Sequence, residues 1–190
     1  MTRKSYEEQA RELAATTGRS YDDALRVVEI TRKTRPTVDE AAFALGHPLA
    51  VLADGPTAPV VVGTSGLGPQ LRDVRIAYVG TDRYPDFVVI TSIPMPGEDV
   101  EDLLLTEVLS NFLRFRNKSH EELKRTSPRE SWDRANAAVP DSTEIAFAGV
   151  TTRGTRISAD GISAVRVPYL HGQIVVGTSG TDVPALALTG

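Results

Sequence analysis

The chain has 190 residues, 41% of them apolar and 24% charged, with a net charge of −4 and no cysteine. That length supports one domain whose core needs neither metal nor disulfide. The missing cysteine excludes disulfides, thiolate catalysis, zinc–thiolate centres and iron–sulfur clusters. The opening Met1-Thr2-Arg3-Lys4-Ser5 offers no apolar signal core, and no apolar run reaches the ~18–20 residues that span a bilayer. A cytoplasmic protein without a membrane partner is expected. The net charge opposes nonspecific nucleic-acid binding by the whole chain, although residues 1–36 carry +2 and the remainder −6. Lysine is scarce beside arginine, 4 against 17, as in GC-rich bacterial genomes.

The front of the chain reads as helical. Ser5-Tyr6-Glu7-Glu8 is a capping box, followed by Tyr6, Ala10, Leu13 and Ala14 on one face and a stop at Thr17-Gly18. Ser20-Tyr21-Asp22-Asp23 repeats that start, with Tyr21, Ala24, Leu25 and Val28 on one face. The two helices are expected to pair as a hairpin through their Tyr and Leu faces. Thr37-Val38-Asp39-Glu40 is a further capping box, opening a short helix that stops at Gly46. The division follows: a helical hairpin segment over 1–36 and an α+β body over 37–190.

In the body, 49–53 and 59–62 read as short strands, and 73–79 with 87–93 as a β-hairpin. A long helix is predicted over about 98–116, apolar around much of its circumference, with acids at its start and Arg114, Arg116 and Lys118 at its end. Ser119 and Ser127 each cap a further helix, the second with Pro128 at its first position and with Trp132, Ala135 and Val139 turned inward. From Thr143 onward a strand meander is expected, turning at Asp160-Gly161 and again at His171-Gly172. The predicted fold is α+β: an N-terminal helical segment followed by a mostly antiparallel sheet packed on a long central helix.

One segment recurs. Val60-Val61-Val62-Gly63-Thr64-Ser65-Gly66 returns as Ile174-Val175-Val176-Gly177-Thr178-Ser179-Gly180, which reads as a strand entering a glycine turn, used twice. In the first copy Thr64, Ser65 and Arg72 make a candidate anion-binding turn. A nucleotide cradle would need a helix to follow, and Pro69 and a second strand follow instead. Ser65 and Ser179 lack the second glycine of a nucleophile elbow, and His47, His120 and His171 read as structural or exposed. The acids Glu98, Asp99, Glu101 and Asp102 fit a helix start better than a cation site. No catalytic, cofactor or metal-binding residue is assigned.

Nucleic acid is the main alternative partner, because three capped helices at the front are compatible with a helix-turn-helix. The third presents Asp39 and Glu40 where a recognition helix would offer cations, while the second carries Arg26, Arg32 and Lys33. A basic stretch from Arg114 to Arg134 has four acids among its seven cations and reads as a solvated face.

The Arg-rich composition, the Thr17-Gly18-Arg19-Ser20-Tyr21 link and the C-terminal meander with its Gly-Thr-Ser turn resemble small uncharacterised actinobacterial proteins. The resemblance covers mainly 5–33 and 143–188, and it implies no activity and no site residue. The expected function is a non-enzymatic protein-binding or accessory protein, of an immunity-like or mobile-element type. Its partner would be another protein or a second copy, docking on Arg11, Arg19 and Arg26. The alternatives are a DNA-binding regulator using the front helices, and a small hydrolase or transferase.

Overall fold

A computed structural model describes residues 5–54, 60–65, 72–79, 85–93, 103–115, 121–122 and 127–190, with main chain alone for 60–65, 79, 85 and 103. The front helices begin where their caps predict. At α1 (Tyr6–Thr17) the Ser5 hydroxyl accepts from the Glu8 amide at 3.2 Å, and the Glu8 carboxylate accepts from the Ser5 amide at 2.8 Å. Gly18 ends the helix at φ 72°, a left-handed conformation that costs glycine little. Ser20 opens α2 (Tyr21–Ile30) by accepting from the Asp23 amide, and the Thr37–Glu40 box opens α3 (Val38–Leu45).

The seam of α1 and α2 is made by Ala10, Leu13, Ala24, Val27 and Val28, all buried. Tyr6 and Tyr21, expected in that seam, are exposed at 46% and 39%. Alanine lets the two backbones approach, whereas a tyrosine in the first turn keeps its hydroxyl in water. Tyr6 lies beneath the Arg32 guanidinium, 4.0 Å from its ring centroid. Through Ala44, α3 joins this cluster; through Ala41 and Leu45 it faces the sheet core.

The sheet is built from β1 (Ala50–Leu52), β2 (Val60–Ser65), β3 (Asp73–Val79), β4 (Pro85–Ser92), β5 (Asp141–Phe147), β6 (Val150–Ala159), β7 (Ile162–Tyr169), β8 (Gly172–Thr178) and β9 (Leu186–Leu188). Between β4 and β5 run α4 (Leu103–Phe115) and α5 (Pro128–Asn136). All nine strands lie in one sheet in the order β1-β9-β5-β6-β7-β8-β4-β3-β2. The 73–79 and 85–92 runs pair antiparallel as expected. Two-residue turns join β5 to β6, β6 to β7 and β7 to β8. The Asp160-Gly161 turn has φ 54° and 72°, the mirror-image geometry expected of it, and the unpredicted Ala148-Gly149 turn matches it at 50° and 81°.

The expected architecture is overturned in its packing. The sheet is mixed, β9 running parallel to β5 at one residue pair while the other strand pairings among the described residues are antiparallel. It is also not packed on a central helix but nearly closed into a barrel around its own side chains. Val74, Ile76, Val89, Val165, Val167, Ile174 and Val176 fill that interior. Edge strand β1 reaches back across it: the Ala50 amide donates to the Thr91 hydroxyl at 3.1 Å, and the Leu52 amide to the Tyr78 hydroxyl at 2.9 Å. Burial raises the Tyr78 pKa, so the phenol stays neutral there.

The described part of α4 lies on the outside of this sheet. Leu105, Val108, Leu109, Phe112 and Leu113 form its buried stripe, over Ile90, Ile157, Ile162, Ala164 and Val175. The apolar residues that seemed to encircle the helix include Leu104 and Phe115, which are only half-buried. The same strands are apolar on both faces, so the sheet can fill a barrel and still carry a helix. Gly177 sits directly under that helix: a Cβ there would lie 2.5 Å from Val108 Cγ1 and from Phe112 Cε2.

On α5 the buried residues are Ser131 and Ala135, four apart on one face. Trp132, expected inward, is 37% exposed, and Val139 is 83% exposed. Small side chains bring α5 close to α4 and leave the neighbouring tryptophan outside. Ser127 makes no side-chain capping bond. The helix expected from Ser119 lies mostly outside the described residues, as do the ends of the one expected over 98–116. No helix among the described residues is long and apolar enough to cross a membrane.

Candidate functional site

Among the described residues, a surface cleft of about 750 Å³ lies on the outer face of the sheet, beyond the described end of α4. It exists because β6 and β7 part company. Their ladder runs from Ala159–Ile162 to Thr155–Arg166 and stops. Both strands continue, β6 paired with β5 as far as Val150 and β7 paired with β8 as far as Tyr169.

The break has a local cause. The two-residue turns on either side of β7 set its alternation: Ile162, Ala164 and Arg166 direct their main-chain groups to β6, and Val165, Val167 and Tyr169 to β8. The next residue due to bond β6 is Pro168, which has no N–H to give to the Arg153 carbonyl. At Gly154 the strands touch closely, a Cβ there falling 2.7 Å from the Arg166 carbonyl oxygen. Glycine thus permits β6 to press on β7 and bend away. Thr151 and Arg153 are left with main-chain groups that have no strand partner among the described residues. On the core side, Phe147 at the end of β5 and Tyr169 at the end of β7 meet edge to face at 5.9 Å.

Most of the exposed cleft lining is apolar, and positive charge is set into it. Arg153, Thr155, Arg166 and Gln173 line it, with Ser142 at one end and the exposed Leu170 at the other. Arg153 is exposed and makes no side-chain hydrogen bond or ion pair among the described residues, Glu144 opposite it in the β5–β6 register included. Asp141 is the carboxylate in the lining, and Arg156 holds it with two bonds of 3.1 and 2.6 Å. That hydrogen bonding keeps the Asp141 pKa below its ordinary value.

The residues singled out in the sequence lie elsewhere. Thr64 and Ser65 end β2, with Ser65 opposite Asp73, and the glycine turn between Ser65 and Arg72 lies outside the described residues. The Arg72 carbonyl accepts from the Ile93 amide. Arg11 is exposed and pairs with Glu7 at 3.6 Å. Arg19 donates to the Phe43 and Ala44 carbonyls at 3.1 and 3.4 Å, at the C-terminal end of α3 where cations are favoured. Arg26 lies over the Phe43 ring, 4.2 Å from its centroid. These two arginines therefore fasten the front helices to α3.

His47 and His171 come together across 124 residues of chain, their rings edge to face at 6.1 Å. Burial, then the charge of His171 and of Arg19, lowers the His47 pKa. His120 lies outside the described residues. Ser179 follows the far end of β8 from His171, on the order of 20 Å away at the strand rise, so these groups form no hydrolytic triad. No cluster of three or more metal-ligating side chains occurs among the described residues.

Sequence reasoning missed the cleft, although Pro168 inside a β-rich run was its available signal. Comparison with protein-family models, with curated proteins and with solved structures finds no match for this chain.

Proposed function

We propose that the protein is a non-enzymatic binding protein that takes an extended segment of a partner polypeptide along the free edge of β6. The observation that carries this reading is the interrupted ladder: Thr151 and Arg153 present main-chain donors and acceptors beside an open cleft. An unpaired edge is a template for another strand, and main-chain bonds supply affinity in such strand addition. Most edges are covered or blunted. This one has a cleft in front of it.

Docking through the front arginines has less support, since Arg19 and Arg26 are engaged with α3. The same engagement weakens the reading as a DNA-binding regulator, as does Arg32, which donates to Gln9 at 2.9 Å.

Selection of randomised octapeptides on the immobilised protein, followed by hydrogen exchange, tests the proposal. In the free protein the Thr151 and Arg153 amides should exchange faster than those of Thr152 and Gly154, which face β5. Selected peptides should slow the first pair. Peptides that bind and leave both amides unprotected would sink strand addition.

A further inference from the structure

Resting on that strand-addition reading, we infer that the segment seated at the β6 edge is acidic, with carboxylates at alternate positions. A strand added beside β6 turns every second side chain to the outer face of the sheet. On that face it meets Arg153 and Arg166, one from each side of the gap, between Thr155 and Gln173. The carboxylate already in the lining, Asp141, is held by its own arginine, Arg156, which leaves the charge of Arg153 to meet an incoming carboxylate. Arg153 is the stronger of the two anchors: exposed, without an ion pair among the described residues, and carried by the very residue whose main chain is open. A carboxylate reaching it gains a charge-assisted, two-point hydrogen bond just where the backbone register is set. A basic segment would place like charges together at the same point. Specificity in strand addition comes from such side-chain contacts, since the main-chain bonds are the same for any sequence.

The test uses three blocked, dye-labelled octapeptides that alternate threonine with glutamate, with glutamine or with lysine, titrated into the full chain by fluorescence anisotropy. The glutamate peptide should bind tightest and the lysine peptide least. Binding of the glutamate peptide should weaken about tenfold in Arg153→Gln and more in Arg153→Glu, and should fall with added salt. Arg153 is exposed, so both variants should keep the wild-type circular dichroism and unfolding midpoint. If the glutamine peptide binds as tightly as the glutamate peptide, and Arg153→Gln changes neither, the acidic preference is wrong while strand addition stands. If no peptide binds, or if the glutamate peptide binds without protecting the Thr151 and Arg153 amides, strand addition fails and the acidic preference with it.

Discussion

The hairpin of β6 and β7 has a closed half and an open half. Near the Asp160-Gly161 turn the strands are fully paired, and Ile157, Ile162 and Ala164 lie under α4. An ion pair from Arg134 on α5 to Asp160 adds a tie at the turn itself. Beyond Thr155–Arg166 the same strands are unpaired, without α4 above them, and the outer face changes from Ile and Ala to Arg153, Arg166 and Pro168. The contrast shows how few residues separate a structural sheet from an adhesive one. One missing N–H and one glycine interrupt the ladder, and the end of a helix decides where polar side chains begin.

The largest expected effect falls beside the closed half, on β8 beneath α4. Gly177→Ala would place a methyl group where Val108 and Phe112 already sit, both on the buried stripe of α4. Overpacking at such a point costs about 2–3 kcal/mol, and urea unfolding should show it as a lower midpoint with an unchanged slope. An unaltered midpoint would mean that α4 is free to ride outward.

Next comes the turn that sets the hairpin's register. Gly161 has φ 72° with open space around its Cβ position, so the constraint there is backbone conformation alone. A β-branched residue resists that conformation, and Gly161→Val should destabilise the protein by about 1–2 kcal/mol. The open half should lose little, because its strands are held by β5 and β8.

That asymmetry marks what is readable in a sequence. Capping at Ser5, Ser20 and Thr37 and the turn at Asp160-Gly161 depend on residues within three or four positions, and these were legible. Pairing of β1 with β9 joins residues separated by well over a hundred positions, and nothing local encodes it. The apolar breadth of α4 suggested a central helix because composition records how apolar a helix is, not which side its partner lies on. Trp132 misled in the same way: its size suggested burial, but the neighbouring Ser131 and Ala135 form the contact face. The repeated Val-Val-Gly-Thr-Ser pattern gives one edge strand, β2, with a register shift between Val61 and Gly63, and one central strand, β8. Identical local sequence tolerates both environments. The cleft depends on where two strands stop pairing, and Pro168 alone hinted at it.

A smaller effect should come from closing the open half. Pro168→Val restores the N–H due to face the Arg153 carbonyl, so the ladder should extend to this pair, and the Arg153 amide, then donating to the carbonyl of residue 168, should exchange several-fold more slowly. Stability should change by less than about 1 kcal/mol, near the net value of one added hydrogen bond. Binding of the glutamate octapeptide should weaken, because its edge is then occupied. Unchanged exchange at Arg153 would show that the bend at Gly154, rather than the missing donor, keeps the strands apart.

The smallest effect concerns the histidine pair beside the cleft, where His47 meets His171 of the β7–β8 turn. Burial is the first cause of the lowered His47 pKa, with the His171 and Arg19 charges adding to it. Asp23 and Asp39, which share a second cleft with His47, do not reverse the direction. A folded-state pKa below the unfolded value means that the unfolded chain takes up this proton first. The stability contributed by neutral His47 is therefore complete above about pH 6.5, the unperturbed histidine value, and is lost as the pH falls toward the lower folded value. Urea midpoints measured at pH 7.5 and pH 5.5 should drop modestly in the wild type, and by less in His47→Gln, which cannot titrate. Equal drops in the two proteins would assign the pH dependence to other groups and leave the histidine pair a packing contact only.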